Sequence, residues 1–281
     1  MGKKWMIAGL RMMPKKELSR LVGHWTRSRT SRFLIPIFTK KYKINLEEAK
    51  YPVQHYKSLS EFFIRTLKPE VRPIDQDKRK FVSPVDGRVS QYGRIQKGEL
   101  IQAKGVTYTV TQLLGDPKEA QQFEGGSYIT IYLSPRDYHR VHYPTDGEVI
   151  KAVYIPGKLF PVNQMGVEGY PGLFAKNERL ITYMNIEDLT TGDARLAVIK
   201  VGATIVGSVR VHYDANLSTN KRGGKVEEKI FSPPIPCTRG EEIGYFEFGS
   251  TVILLYSKPL EFLPHIQLGA FIKMGEAIGK R

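Results

Sequence analysis

Apolar positions along the chain follow two different periods, and the change comes near residue 75. Before it the spacing is helical. Leu18, Leu21, Val22 and Trp25 fall at i, i+3, i+4 and i+7 behind Pro14, with Lys15, Lys16 and Arg20 on other faces, which predicts an amphipathic basic helix. Ahead of it, residues 3–13 have a basic start and an apolar middle that Arg11 interrupts, too early for a signal-peptide core or a bilayer span. A third cluster, Phe33-Leu34-Ile35-Pro36-Ile37-Phe38, leads into Lys40, Lys41 and Lys43. Ser58-Leu59-Ser60-Glu61 predicts a capping box opening a short helix through Phe62, Phe63 and Leu67 that Pro69 ends.

After residue 75 short apolar runs are punctuated by Gly, Asp and Pro at regular intervals, the pattern of an all-β body. Predicted strands cover 87–92, 128–133, 147–154, 179–185, 195–201 and 205–211, with two more at 245–247 and 252–256. Strands do not alternate with helices, which argues against a parallel α/β sheet. The expected fold is α+β: short N-terminal amphipathic helices (1–75) followed by a β-rich, barrel- or sandwich-like body (76–281). One word repeats, Gly240-Glu-Glu-Ile-Gly244 and Gly275-Glu-Ala-Ile-Gly279, and predicts two similar turn-strand units.

Charge sharpens the reading of the first segment. Of the net +15, residues 1–50 supply +10, from thirteen Lys or Arg against three Glu. Positive charge recurs there with Trp, Met and Phe, which favours docking on an anionic membrane surface over packing on the chain's own core. No nucleic-acid recognition motif accompanies the charge. An Arg-rich targeting leader also fits the first thirty residues. The single Cys237 excludes an internal disulfide and a cysteine zinc cage.

Three tight turns combine reactive groups: Ser83-Pro84-Val85-Asp86-Gly87, the stretch from Ser134 to Pro144 containing His139 and His142, and Gly249-Ser250-Thr251 between two predicted strands. Each alone reads as a turn. Together they hold Asp, His and Ser, the parts of a nucleophile activated by an oriented base. No Cys and no helix-borne third ligand supports a metal pair at the histidines. Ser250 lacks the exposed strand-to-helix elbow of a hydrolase. Its position favours attack on the neighbouring carbonyl of Gly249, whose missing side chain leaves room for a strained backbone.

From Phe62 to the C-terminus the chain resembles the phosphatidylserine decarboxylases, pyruvoyl-dependent enzymes that cleave themselves at a Gly-Ser bond. The resemblance rests on Phe62-Phe63 with Arg65, Leu67-Lys68-Pro69, Arg72-Pro73-Ile74-Asp75, residues 83–87, 132–142 and 156–160, Asn177-Glu178-Arg179 and Gly249-Ser250-Thr251. Phe248 stands where many members carry Leu. The resemblance implies that Asp86 orients His142 and that His142 deprotonates Ser250 for attack on Gly249. The ester then eliminates, and Ser250 becomes a pyruvoyl group, the covalent cofactor, which takes the substrate amine as a Schiff base. It further implies that His139 serves decarboxylation and that Thr251 positions the scissile carbonyl or the pyruvoyl group.

The products of that cut are a β chain, 1–249, and an α chain, 250–281. The expected partner is phosphatidylserine in an anionic membrane, with no nucleic acid, no metal, and a homodimer left open. The expected location is peripheral, on the cytoplasmic face of the cell membrane, without a transmembrane span or secretory signal. Two alternatives stand beside this reading: a soluble pyruvoyl decarboxylase of a free amino acid, and a non-enzymatic basic protein that binds membrane or nucleic acid.

Overall fold

The strand Ser250–Tyr256 is buried along its whole length because sheet flanks it on both sides and packed layers cover both of its faces. A strand so placed needs no polar face, and its Val-Ile-Leu-Leu run has none. The computed structural model describes residues 22–103, 106–188, 192–203, 208–221, 224–247 and 249–281. An eight-stranded sheet organises them, in the order Glu227–Cys237, Gly147–Ile155, Arg179–Asp188, Gly192–Val201, Ser250–Tyr256, Ser127–Leu133, Gly87–Arg94 and Phe271–Ile272. All of its pairings are antiparallel. It keeps two open edges, so the protein is α+β as expected, without a closed barrel.

Alternate residues of the central strand feed two cores. Val252, Leu254 and Tyr256 face one, Ile253 and Leu255 the other. The first core is closed by two three-stranded sheets. One joins Lys80–Val82, Ala277–Lys280 and Glu261–Phe262; the other joins Val209–Val211, Glu242–Phe246 and Arg140–His142. The second core is covered by the hairpin Glu99–Ala103/Val106–Thr109 and by short helices, among them Val110–Leu114 and Leu173–Lys176.

The predicted N-terminal helices fall partly outside the described residues. Residues 3–13, Leu18 and Leu21 lie outside the described residues; 22–27 are helical. The Phe33–Phe38 cluster forms a 3-10 turn, Arg29–Leu34, running into the helix Ile35–Tyr42 with Pro36 in its first turn. Ile35 packs with Tyr56, Leu59 and Phe62, whereas Phe33 and Ile37 are 81% and 63% exposed. Ser58 caps the next helix by accepting the Glu61 amide at 3.1 Å. The reciprocal half of the box is displaced by one residue, because the Glu61 carboxylate takes the amide of Lys57 at 2.6 Å. That helix, Leu59–Phe63, stops short of the predicted end, and Leu67 instead bridges to Ala49. Among the described residues no helix is long and apolar enough to cross a membrane.

Both copies of the repeated word are turns entering strands. Gly240 and Gly275 have φ of 79° and 88° and precede Glu242–Phe246 and Ala277–Lys280. Both close on residues 73–74: a Cβ on Gly240 would lie 2.0 Å from Ile74 Cδ1, and one on Gly275 2.7 Å from the Pro73 carbonyl. Only glycine fits either turn.

Candidate active site

Asp86 lies at the bottom of the 83–87 turn, which Ser83 shapes by donating its hydroxyl to the Val85 carbonyl at 2.7 Å. Its carboxylate is fully engaged. Arg72 donates to it from Nε at 2.8 Å and from Nη2 at 2.5 Å, and the Met274 amide donates at 2.8 Å. Arg72 also reaches Glu48 at 2.8 Å, and although burial opposes its charge, the hydrogen bonds to Asp86 and Glu48 raise its pKa. The turn touches the histidine strand through its backbone: the His142 amide donates to the Pro84 carbonyl at 2.9 Å.

Residues 134–142 form a loop entering the strand Arg140–His142. Asp137 folds the loop back by accepting from the Ser134 amide and hydroxyl, both at 2.7 Å. Its own carbonyl lies 2.8 Å from His139 Nδ1. A carbonyl only accepts, so Nδ1 of His139 carries the proton and Nε2 presents a lone pair. That Nε2 is buried and has no hydrogen-bond partner, while the ring lies against Phe63 with centroids 4.0 Å apart. His142 follows the same rule. Its Nδ1 donates to the Gly240 carbonyl at 2.8 Å, and its Nε2 accepts from the Tyr138 hydroxyl at 3.1 Å. Burial pushes His139 down to about 3 and lowers His142 as well, so both are neutral bases near pH 7.

Ser250 opens the central strand, pairing with Leu133, and Thr251 pairs with Tyr132 and Val201. Both hydroxyls are completely buried and neither has a partner among the described residues. A buried hydroxyl left unsatisfied is unfavourable by about 1–3 kcal/mol, which makes both candidates for chemistry or ligand contact. A Cβ on Gly249 would meet only the Leu133 carbonyl, at 3.8 Å, an ordinary contact, so crowding in the uncut fold does not require glycine at this position.

Register places these groups at one end of the molecule. Phe246 donates its amide to the His139 carbonyl at 3.0 Å, and Ser250 lies opposite Leu133. His139 thus lies beside Phe246, and Leu133 beside Ser250, on the same two sheets. His139 is at the end of its strand nearer Ser250; His142, opposite Glu242, is further back. Asp86 and His142 share no hydrogen bond: Arg72 holds the first, and Gly240 and Tyr138 hold the second. Burial dominates the lowering of the His142 pKa, opposed by the Gly240 carbonyl, by Glu242 and, least of all, by Asp86. Arg72, Asp137 and Tyr138 are the additions to the sequence-predicted set, and each stands in a stretch that carried the resemblance. Among the described residues no group of three His, Cys, Asp or Glu could hold a metal.

Comparison with known proteins gives the family. The profile of the family described as phosphatidylserine decarboxylase matches residues 59–280. A phosphatidylserine decarboxylase proenzyme of Brevibacillus brevis is 44% identical over 283 residues, covering 100% of this chain and 99% of its own. Proteins of the same name from Anaeromyxobacter sp. and Myxococcus xanthus are 43% and 42% identical, covering 99% and 96% of this chain and the same shares of their own.

Proposed function

Since the chain belongs to the phosphatidylserine decarboxylase family and is a decarboxylase, we propose that it is made as a precursor, cuts itself between Gly249 and Ser250, and converts phosphatidylserine to phosphatidylethanolamine and carbon dioxide. The observation that carries the proposal is the Ser250 hydroxyl, fully buried and unpartnered, at the end of the molecule where two neutral imidazoles lie.

In the proposed cut, Ser250 Oγ attacks the Gly249 carbonyl carbon while His142 Nε2 takes the hydroxyl proton. The Gly249–Ser250 amide breaks as the ester forms, freeing the Ser250 nitrogen. Loss of the Cα proton then breaks the Cβ–Oγ bond and releases Gly249 as the C-terminal carboxylate of the 1–249 chain. Water replaces the nitrogen of the remaining dehydroalanine, which leaves as ammonia. For His142 to act, Tyr138 must release Nε2; the Gly240 carbonyl keeps the tautomer fixed, and the charge of Asp86 favours the imidazolium that forms.

The residues present fit a pyruvoyl group at position 250. The free hydroxyl of Thr251 and the free Nε2 of His139 are the polar atoms available to hold it. Such a group supplies a ketone electron sink that no side chain offers. His139 Nε2 would take a proton from the substrate's ammonium group and would be the group to return one to the substrate carbon. We also propose that residues 1–75 dock on the anionic membrane surface and that 76–281 form the catalytic part, which places the enzyme at the cytoplasmic face of the cell membrane. Phe33 and Ile37, exposed beside Arg29, Arg32, Lys40 and Lys41, support this docking.

One observation favours a second assignment of the histidines. His139 Nε2 is unpartnered and nearer Ser250 along the ladder, so the two bases exchange roles in that reading. Intact mass spectrometry tests both. Wild type should give two chains, 1–249 and 250–281, the latter reactive with hydroxylamine, and Ser250→Ala should give one inert species. An active, uncut wild type would overturn the proposal. His142→Ala should remain uncut while His139→Ala is cut and inactive; the reverse pattern assigns the cut to His139.

A further inference from the structure

The helical N-terminal part reaches the segment of the proposed cut through one arginine. Arg27 ends the helical stretch 22–27, and its Nη2 donates to Glu247 Oε2. Glu247 stands two residues before the Gly249 carbonyl and is 6% exposed. A carboxylate so buried is costly unless a cation or several donors complete it. Among the described residues Arg27 is the side chain that hydrogen-bonds to it, while Arg210 stands at 3.5 Å as a second positive charge.

The backbone that carries Arg27 is itself fixed. Ser31, fully buried, donates its hydroxyl to the Thr26 carbonyl at 2.7 Å and accepts the Leu59 amide at 2.9 Å. Those bonds tie residue 26 to the helix Leu59–Phe63, whose last ring, Phe63, lies against His139. The N-terminal part therefore meets the site twice, at an imidazole and at the segment to be cut. That segment is anchored at both ends. Phe246 and Glu247 donate their amides to the carbonyls of His139 and Ser208, each at 3.0 Å, and Ser250 is paired with Leu133. A chain spans at most about 3.5 Å per residue, so a displacement of Glu247 is passed on to the Gly249 carbonyl two residues away.

We infer that Arg27 is a positioning residue for the self-cleavage: by holding the Glu247 carboxylate it fixes where the scissile segment enters, so that the Gly249 carbonyl meets the Ser250 hydroxyl. This rests on the reading that the chain cuts itself. Arg27 acts through Glu247 and does not touch the reacting atoms. Attack on a neighbouring carbonyl depends on alignment, and a misplacement of about 1 Å can slow a reaction about a hundredfold. The arginine side chain is 44% exposed, so solvent screening keeps the share of this ion pair in overall stability small. Its effect falls on geometry. In this account residues 1–75 complete the cleavage site as well as docking the protein.

The test follows the cut over time in freshly synthesised full-length protein by intact mass. Arg27→Gln should slow it about tenfold, Glu247→Gln by a similar factor, and Arg27→Lys, which keeps the charge, by less than about threefold. The double variant Arg27→Gln with Glu247→Gln should be no slower than the slower single variant, because both changes remove the same contact. In the uncut Ser250→Ala background, Arg27→Gln should unfold at the same temperature as its parent, which separates positioning from a loss of folding. Cutting of Arg27→Gln at the wild-type rate, losses that multiply in the double variant, or a slowed cut accompanied by a markedly lower unfolding temperature would each overturn the inference. A wild type that stays uncut would remove the underlying reading as well; a cut wild type whose variants match its rate would remove the inference alone.

Discussion

At the scale of single residues, protonation governs the site. His139 and His142 are buried, each gives its Nδ1 proton to a backbone carbonyl, and each is held in the neutral form. With folded-state pKa values below the ordinary ~6.5, the base remains available as pH falls. Self-cleavage followed by intact mass should therefore keep its rate from pH 8 to below ~6.5, where a solvent-exposed histidine would already have lost half its activity. A rate that halves near pH 6.5 would contradict the burial of these rings. Stability has the opposite tendency in that range. Below ~6.5 the unfolded chain takes up protons that the folded imidazoles refuse, so unfolding becomes easier on acidification. The same scale shows what a sequence leaves hidden. That Asp86, His142 and Ser250 each stand in a turn rich in reactive groups was readable from their motifs; that Arg72 and not His142 holds the Asp86 carboxylate was not, because a residue's hydrogen-bond partner depends on how distant segments meet.

At the scale of elements, legibility followed the period of the apolar pattern. Strands near the centre of the large sheet are buried on both faces and read as continuous apolar runs, as in Ser127–Leu133 and Ser250–Tyr256. The strand Glu227–Cys237 escaped because Ser232-Pro233-Pro234 interrupts it. It survives as an edge strand, with a break in register between Ile230 and Ile235 where the prolines have no amide to donate. The short helices over the second core carry too few residues to show a period. In the N-terminal part the helix Ile35–Tyr42 and the turn before it divide their apolar residues between Ile35, turned inward, and Phe33 and Ile37, turned out. Phe33→Ser with Ile37→Ser should leave thermal stability unchanged and reduce co-sedimentation with anionic vesicles about tenfold or more, since neither side chain supports the core. Undiminished sedimentation would show that these residues do not insert.

At the scale of the whole molecule, the central strand has a consequence for how the mature protein is held together. Ser250–Tyr256 is bonded on one side to Ser127–Leu133 and on the other to Gly192–Val201, and the two turns built on Gly240 and Gly275 close on the same Ile74. The proposed cut at Gly249 would thus release nothing: the 250–281 piece would stay threaded through the 1–249 piece by backbone pairing on both flanks. Molecularity is what changes. The precursor folds as one chain, with its last strand tethered to the rest; the processed protein, once unfolded, must find a separate partner at a rate set by concentration. Denatured Ser250→Ala should regain its native circular dichroism at a dilution where processed wild type does not, and refolding of the processed form should quicken with protein concentration. Equal, concentration-independent recovery would mean the two pieces never separate under denaturant. If the proposed cut occurs, the covalent bond at Gly249 is in this sense a folding tether used once and then consumed.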